Sequence, residues 1–465
     1  PNEGSGILED IVVMDNGNLM VIGNSLNFNT GLRDAHHLVI DNQGAFVNEV
    51  SLETDSFEIN PQAIIRSNYS SALYSSGYWC NYLSTSPGPC DFYISKLDES
   101  GDTLFTRIIE RPDTSDFLLN MVETRPNKIM LIGWTYNDTV DVDADLLFVT
   151  VDTLGNELNR IVFGGGGTDF VSDGLVIDST GDVIMVGFTK SFPTLNSGRS
   201  WVLKTDSIGN IKWHRTYSGI GASTANGIRL SRLPDNNVVI AGGKSGNGYL
   251  QKIDTMGNEI WAIEYNVGGT QGLWSCAGLA DGTIVANGVT DATDGSQAGW
   301  FVKTDENGDT LWTRTYNPSD NTDFLRNMLL MPNGDIVMVG FGRGENSTTQ
   351  DGWILRVDSM GCLQEGCFSV GVEELEQESG YFKPYPNPFS NSTTIAYDLG
   401  KECEMGCQIR MCDLQGRIIL RETLYTEDGK GSFVVDMSRY VNGIYYCSLY
   451  GNNQLLQTEK LILLR

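Results

Sequence analysis

The sequence predicts an all-β protein, with a seven-bladed β-propeller followed by a small antiparallel β-sandwich. Three observations support this. Only 19% of the residues are charged while 53 are glycine, a balance that favours short strands joined by tight turns. Two short signatures recur seven times before residue 367, and the pattern then changes near residue 381. The predicted domains are a propeller over 1–367, an acidic linker over 368–380 and a sandwich over 381–465.

The first signature is Asp-x-x-Gly between two apolar strands. An Asp side chain can accept hydrogen bonds from its own turn, and Gly can adopt a positive φ, so each copy predicts a tight turn. Successive copies are separated by 57, 54, 54, 48, 51 and 53 residues. The copies begin at Asp41, Asp98, Asp152, Asp206, Asp254, Asp305 and Asp358.

The second signature precedes each turn and consists of four or five apolar residues followed by Gly, as in GDVIMVG ending at Gly187. Together the two signatures place about four strands in each unit, which is the pattern of a propeller blade. Large aromatic residues recur at fixed positions, such as Trp201 and Trp300, and predict packing between neighbouring blades. The seventh unit lacks a clear fourth strand. We therefore expect either a three-stranded last blade or a native chain that extends upstream of Pro1.

The net charge is −28, and all of the excess lies in residues 1–381, because 382–465 carry nine basic and nine acidic residues. So acidic a surface repels phosphate backbones and argues against nucleic-acid binding. It favours solubility in an extracellular medium, with an acidic face that collects Ca²⁺ or cationic partners as the alternative. The sequence has no run of 18 apolar residues, so we expect no transmembrane helix.

Nine cysteines indicate an oxidising compartment. Cys80 and Cys90 flank a Pro/Gly/Ser-rich loop, and Cys362 and Cys367 flank a short turn, so each pair is a candidate local disulfide. The pairing of the others stays open, and a zinc site is the rival interpretation for the four near the C-terminus, although their spacing fits no common zinc pattern. These others are Cys276, Cys403, Cys407, Cys412 and Cys447.

One candidate metal site stands out. Asp141, Asp143 and Asp145 alternate within DVDAD, which we expect to form a loop, and hard carboxylate oxygens suit Ca²⁺. A solvated acidic loop is the competing interpretation. The sequence indicates no other cofactor. It contains no HExxH, GxSxG or phosphate-binding motif, and the adjacent His36 and His37 should face opposite sides of a strand, so we expect no enzyme activity.

The C-terminal segment carries four elements in order: Tyr385-Pro386-Asn387-Pro388-Phe389, then Asp413 to Arg417, then Asn442 to Tyr446, and a basic–apolar ending over 460–465. This segment resembles the type A sorting domain of the type IX secretion system. The resemblance assigns Pro386, Asn387, Pro388, Asp413, Gly416, Gly443 and Tyr445 to the sorting signal. It implies passage through the periplasm, recognition by the outer-membrane translocon and its shuttle, and removal of the domain by a sortase.

The whole sequence is therefore typical of an exported cell-surface or secreted protein that binds a protein or glycan. The insertions at 78–91 and 137–145 are the expected contact loops, because function concentrates on loops held by a rigid frame. Two other hypotheses stay open: a propeller hydrolase, lyase or quinoprotein acting on polysaccharide, and a structural component of a surface or secretion complex. Carboxylates and an Arg or His converging on the central channel would favour the enzyme.

Overall fold

A computed structural model describes most of the chain. The described residues are 3–52, 54, 56–81, 89–111, 114–137, 141–192, 199–217, 229–291, 296–318, 322–343, 349–363, 382–399, 407–413, 418–424, 430–451 and 454–464. They form two compact units, residues 1–365 and 366–465. All regular secondary structure in the described residues is β-strand, which confirms the all-β prediction.

The part of the first unit that the structure describes contains 27 strands. They are β1 (Glu3–Val13), β2 (Leu19–Asn27), β3 (Arg33–Ile40), β4 (Phe46–Leu52), β5 (Phe57–Arg66), β6 (Leu73–Asn81), β7 (Cys90–Leu97), β8 (Thr103–Ile109), β9 (Thr114–Arg125), β10 (Lys128–Asn137), β11 (Asp141–Val151), β12 (Glu157–Phe163), β13 (Asp169–Val176), β14 (Val183–Thr189), β15 (Arg199–Thr205), β16 (Ile211–Tyr217), β17 (Arg229–Arg232), β18 (Val238–Lys244), β19 (Asn247–Ile253), β20 (Glu259–Tyr265), β21 (Gln271–Gly278), β22 (Ile284–Asp291), β23 (Gln297–Thr304), β24 (Thr310–Tyr316), β25 (Thr322–Leu330), β26 (Ile336–Arg343) and β27 (Asp351–Val357).

These strands pair in chain order. Strands β1–β4, β5–β8, β9–β12, β13–β16 and β17–β20 form five four-stranded antiparallel sheets. The groups β21–β24 and β25–β27 follow the same order, and a single parallel pairing of Gln297 with Thr322 joins them into one seven-stranded sheet. The last group has three strands among the described residues.

The Asp-x-x-Gly signature forms the turn between the third and fourth strands. In the first copy, Asp41 Oδ1 accepts hydrogen bonds from the backbone N–H groups of Gln43 and Ala45, both at 2.8 Å, and Gly44 has a φ of 86°. The Asp side chain makes the same two bonds in all seven copies. The signature therefore repeats because its Asp satisfies the backbone of a turn that requires Gly.

The Gly of the second signature has a different cause. In six of the seven strand groups, a bulge in the first strand brings a carbonyl oxygen close to the Cα of this Gly in the second strand. A Cβ added at Gly187 would lie 2.0 Å from the carbonyl oxygen of Phe170, beside the bulge between Val171 and Asp173. A side chain at this position would collide with backbone, so the second strand requires Gly there. The equivalent distance is between 1.9 and 2.3 Å at Gly23, Gly77, Gly133, Gly288 and Gly340.

Apolar side chains fill the space between successive sheets. Trp300, fully buried, packs in a cluster with Val239 and Leu250 of the preceding sheet. The first sheet also packs against the last, since Val21 shares a cluster with Val337 and Val339. The sheets thus contact their neighbours in chain order, and the series closes on itself.

The described residues of the second unit form seven strands, which are β28 (Phe382–Tyr385), β29 (Ser392–Asp398), β30 (Cys407–Asp413), β31 (Ile418–Leu424), β32 (Lys430–Asp436), β33 (Gly443–Gly451) and β34 (Gln454–Leu463). They pair in two antiparallel sheets, with strand orders β28-β29-β32 and β31-β30-β33-β34. Both sheets contribute to one apolar core, which includes Ile395 from the first sheet and Ile409 and Leu461 from the second. The described parts of both units contain no helix able to cross a bilayer.

Candidate ligand-binding site and sorting segment

Polar side chains that follow the first-strand bulges link several sheets. Asp10 accepts hydrogen bonds from the Asn327 amide at 2.6 Å and from the backbone N–H of Ile64 at 2.8 Å, and Ser275 donates to Asn327 at 2.9 Å. Four sheet groups therefore meet through these contacts. We call the set Asp10, Asn120, Asp173, Arg229, Ser275 and Asn327 the polar ring.

The other half of the polar ring centres on Asp173. The amide of Asn120 and the backbone N–H of Leu230 donate to its carboxylate, and an Arg229 nitrogen lies 3.7 Å away. Burial raises the pKa of Asp173 to about 6, although Arg229 opposes the shift, and burial also raises the pKa of Asp10. Two buried carboxylates thus share one nearby guanidinium.

A group of charged residues lies around Tyr78. Two of them, Glu9 and Arg326, directly precede residues of the polar ring in sequence. Arg326 Nε is 3.0 Å from Glu9 Oε2, and Arg33 Nε is 3.8 Å from Glu58 Oε1. Burial, together with the charges of Glu9 and Glu58, raises the pKa of Tyr78 to about 12, and both arginines oppose that shift. We call Glu9, Arg33, Glu58, Tyr78 and Arg326 the charged centre.

Stacked aromatic rings continue from Tyr78 into the third sheet. The Tyr78 and Phe117 ring centroids are 5.1 Å apart, and Phe117 stacks on Trp134 at 4.3 Å with an interplanar angle of 15°. Trp134 in turn stacks on Tyr136 at 5.8 Å. We call Phe117, Trp134 and Tyr136 the Trp134 group; all three are half-buried, so each keeps part of its surface open to a ligand.

A second aromatic group lies beside Arg326. Its guanidinium carbon is 5.9 Å from the Trp274 ring centre and 6.0 Å from that of Phe341, and Phe324 stacks between these two rings at 5.1 and 4.8 Å. We call Trp274, Phe324 and Phe341 the Trp274 group. The charged centre therefore contacts one aromatic group through Tyr78 and the other through Arg326.

A further charged cluster lies beside Phe117. Asp116 is 1% exposed, and nitrogens of Arg111 and Arg160 lie 3.8 Å from its carboxylate oxygens. Burial raises the pKa of Asp116, and it raises the pKa of nearby Asp91 to about 6. The Arg160 side chain also pairs with Glu157 at 2.7 Å.

Such a site can bind a ligand that has both flat apolar faces and hydroxyl groups. Half-buried aromatic rings offer stacking surfaces, while carboxylates accept and guanidinium groups donate hydrogen bonds. Sequence reasoning missed the charged residues of this centre, although Tyr78 lies at the start of the insertion 78–91 that was predicted to contact a ligand. Glu9 and Arg326 occupy the same bulge position in two sheets, so aligning the first strands on the Gly signature would have revealed them.

The predicted calcium ligands lie on a strand, which corrects the expectation of a loop over 137–145. Strand β10 ends at Asn137 and β11 begins at Asp141, because the two strands keep pairing, with Thr135 opposite Asp145. The side chain of Asp141 lies outside the described residues. Among the described residues no group of three or more His, Cys, Asp or Glu side chains could hold a metal. The calcium site stays a prediction.

The structure contains a disulfide between Cys80 and Cys90, which face each other where β6 and β7 end and begin. Cys362 is also disulfide-bonded, while its predicted partner Cys367 lies outside the described residues. The same holds for the C-terminal cysteines: Cys407 is disulfide-bonded, and Cys403 lies outside the described residues. The free thiols among the described residues are those of Cys276, Cys412 and Cys447.

The adjacent histidines have separate surroundings. His36 Nε2 lies 2.7 Å from the Ser25 hydroxyl, whereas His37 Nδ1 lies 3.1 Å from the Gly101 carbonyl oxygen. Burial lowers the pKa of His37 to about 4, so this side chain is neutral at physiological pH. His214 is exposed and packs edge-on against Trp201.

In the second unit, the Pro-Asn-Pro-Phe segment is fastened to the last strand. The Asn387 amide donates to the Lys460 carbonyl at 2.6 Å, and its oxygen accepts from the Ile462 N–H at 2.9 Å. Phe389 continues the contact, with its N–H donating to the Ile462 carbonyl and its carbonyl accepting from Leu464. The peptide bonds before Pro386 and Pro388 are both cis.

The other sorting residues occupy strand ends. Tyr445 is 4% exposed, and its hydroxyl donates to the Val441 carbonyl at 2.7 Å, just before β33 begins at Gly443. Asp413 ends β30, with its side chain outside the described residues, and Gly416 also lies outside them.

The family model for a secretion system C-terminal sorting domain matches residues 383–464. This segment is a type IX sorting domain. It confirms the resemblance seen in the sequence, and it marks the chain as cargo that is exported to the cell surface or secreted and is recognised by the type IX machinery. No curated protein matches the chain in sequence.

Several solved structures are similar to this chain at very low identity. NanB sialidase from Streptococcus pneumoniae is 10% identical, with a TM-score of 0.43, over 77% of this chain and 69% of that one. An alpha-L-arabinanase from Penicillium chrysogenum is 12% identical, with a TM-score of 0.44, over 62% and 88%. The alpha-L-arabinofuranosidase Arb93a from Fusarium graminearum is 13% identical, with a TM-score of 0.45, over 65% and 93%.

Proposed function

We propose that the seven strand groups of the first unit are the blades of a β-propeller, with the first strands around a central channel and the two C-terminal sheets forming a β-sandwich. The in-order pairing, the repeated bulge and the packing of the first sheet on the last support this arrangement. The polar ring then lies at the centre of the channel. An experimental structure with a blade number other than seven would refute the proposal.

We propose further that this propeller is an exported binding protein whose ligand is a glycan. The observation that carries the proposal is the position of the charged centre between two aromatic groups, in which every ring except the buried Phe341 is half-buried. Sugar rings present C–H faces that stack on aromatic rings and hydroxyls that hydrogen-bond to paired carboxylate and guanidinium groups. Binding without catalysis is the favoured role.

Isothermal titration with the full-length protein, after a glycan array has identified binders, tests this function. Tyr78→Ala should weaken the binding of the best glycan about tenfold, because the variant removes the ring that joins the charged centre to Phe117. Trp213→Ala is the matched control, since Trp213 lies on β16, the last strand of its sheet, away from the first strands. Equal weakening by both variants, or no glycan bound at all, would contradict the proposal.

A glycan-cleaving enzyme is the second candidate, favoured by one observation. The carboxylates of Glu9 and Glu58 each lie beside an arginine, and both raise the pKa of the Tyr78 hydroxyl. Glycoside hydrolysis uses two carboxylates near one bond. Incubating the full chain with bound polysaccharides and measuring reducing ends tests it. The enzyme proposal requires that the wild type forms product and that Glu9→Gln and Glu58→Gln each abolish it while glycan binding persists. If no product forms, binding is the only function that remains.

Export provides the remaining part of the function. We propose that the chain crosses the periplasm, where its disulfides form, and that the sorting domain is then removed at the outer membrane. Mass spectrometry of surface protein should find a mature form that ends near residue 370. Finding only full-length protein on cells would show that the domain is kept.

A further inference from the structure

The ionic contacts of the charged centre bear on which glycans fit it. Glu9 pairs with Arg326, and Glu58 pairs with Arg33, so each carboxylate has a guanidinium partner. The Asn60 amide also donates to Glu58 at 3.1 Å, and Arg33 donates to the amide oxygen of Asn24. A charged ligand group would have to break one of these pairs, whereas a neutral hydroxyl can use their remaining lone pairs and protons.

The charge of the whole protein acts in the same direction. With a net charge of −28, the protein repels anionic polymers at long range. Neither the local pairing nor the overall charge favours an acidic sugar. Both are compatible with a ligand that carries only hydroxyl groups.

The aromatic groups bear on ligand length. The Trp134 group belongs to the third sheet, and the Trp274 group belongs to the sixth and seventh strand groups, with Tyr78, Glu9 and Arg326 connecting them. One sugar ring stacks on one aromatic face, so a single sugar can reach only one group. A ligand that touches both must be a chain of several sugars that crosses the charged centre.

From these contacts we infer that the site binds an internal stretch of a neutral, linear polysaccharide, held at one end by the Trp134 group and at the other by the Trp274 group. This inference rests on the proposed glycan-binding function and names its ligand class. It assigns Trp134 and Trp274 as the two residues that set the length of chain recognised.

The test uses the full-length protein and isothermal titration. A panel of linear neutral polysaccharides (β-glucan, mannan, galactan and arabinan) identifies the best binder, whose oligosaccharides of one to eight units are then compared. A derivative of the same polymer in which primary hydroxyls are oxidised to carboxylates serves as the charged counterpart. Trp134→Ala and Trp274→Ala are measured beside Trp213→Ala, and thermal unfolding checks that each variant folds.

The longest oligosaccharides should bind at least about tenfold tighter than the single sugar, and carboxylation should weaken binding by a similar factor. Each site variant should remove most of this gain with length, whereas Trp213→Ala should retain it. The inference would be overturned if the unmodified protein bound one and eight units equally tightly, or bound the oxidised polymer as tightly as the neutral one. Glycan binding itself would still hold in either case. Failure to bind any glycan would instead overturn the proposed function.

Discussion

The collision between the second-strand Gly and the first-strand carbonyl gives the sharpest stability prediction. In Gly187→Ala the new Cβ would lie 2.0 Å from the Phe170 carbonyl oxygen and 2.5 Å from the Val171 Cα, whereas real Cβ contacts stay above 3.0 Å. One strand must therefore move by about 1 Å inside a sheet whose neighbours are fully buried. We expect this variant to lose about 4 kcal/mol or more of its free energy of unfolding.

Two other Gly→Ala variants separate this collision from simpler effects. Gly334 has a φ of 91° but open space around its Cα, so Gly334→Ala should cost only the left-handed strain of about 1–2 kcal/mol. Gly166 has open space and no positive φ, so Gly166→Ala should change stability by less than about 0.5 kcal/mol. Urea unfolding midpoints measure all three variants. If Gly187→Ala unfolded within 1 kcal/mol of Gly166→Ala, the assigned role of this Gly would be wrong.

Three further predictions concern the buried acid, the disulfide and the sorting segment. Because the pKa of Asp173 in the folded protein is about 6, above its usual 3.8, its contribution to stability is complete below pH 3.8 and is lost as the pH rises through 6; unfolding at pH 5 and 8 should show the wild type losing about 1.4 kcal/mol relative to Asp173→Asn, and parallel curves would refute this. Replacing Cys80 and Cys90 by Ser should lower the free energy of unfolding by about 2–3 kcal/mol, since the bond closes a loop with a sequence separation of 10, and reducing agent should then have a smaller effect on the variant than on the wild type. Asn387→Ala should cost about 2 kcal/mol and reduce the exported protein measured by immunoblot, with the exposed Ser392→Ala as a control that should do neither.

The sequence predicted the parts of the fold whose chemistry is the same in every copy. Each Asp-x-x-Gly turn needs the same side chain and the same positive φ, so the pattern is visible without any structure. The Gly signature was equally visible, although its cause, a carbonyl brought close by a bulge in another strand, cannot be read from one strand alone.

The charged residues of the candidate site could not be predicted, for the opposite reason. The bulge position holds Glu9 in one strand, Trp274 in another and Arg326 in a third, so no residue type repeats there. The partners of the closer ion pair in the charged centre, Glu9 and Arg326, come from the first and last strand groups, and only the closure of the sheet series makes them neighbours. The alternating acids of DVDAD suggested a metal-binding loop. The same alternation is equally compatible with a strand, and the structure contains a strand there.

The hydrogen bonds of Asn387 place the first part of the sorting domain under the control of its last strand. A nascent chain that stops before Lys460 lacks both backbone groups that hold this side chain, whatever the state of the preceding residues. Premature termination or C-terminal proteolysis therefore removes the contacts that hold Asn387 in the sorting segment, together with the missing residues. Only molecules translated through β34 carry a complete sorting segment, so export should select chains that were translated to the end.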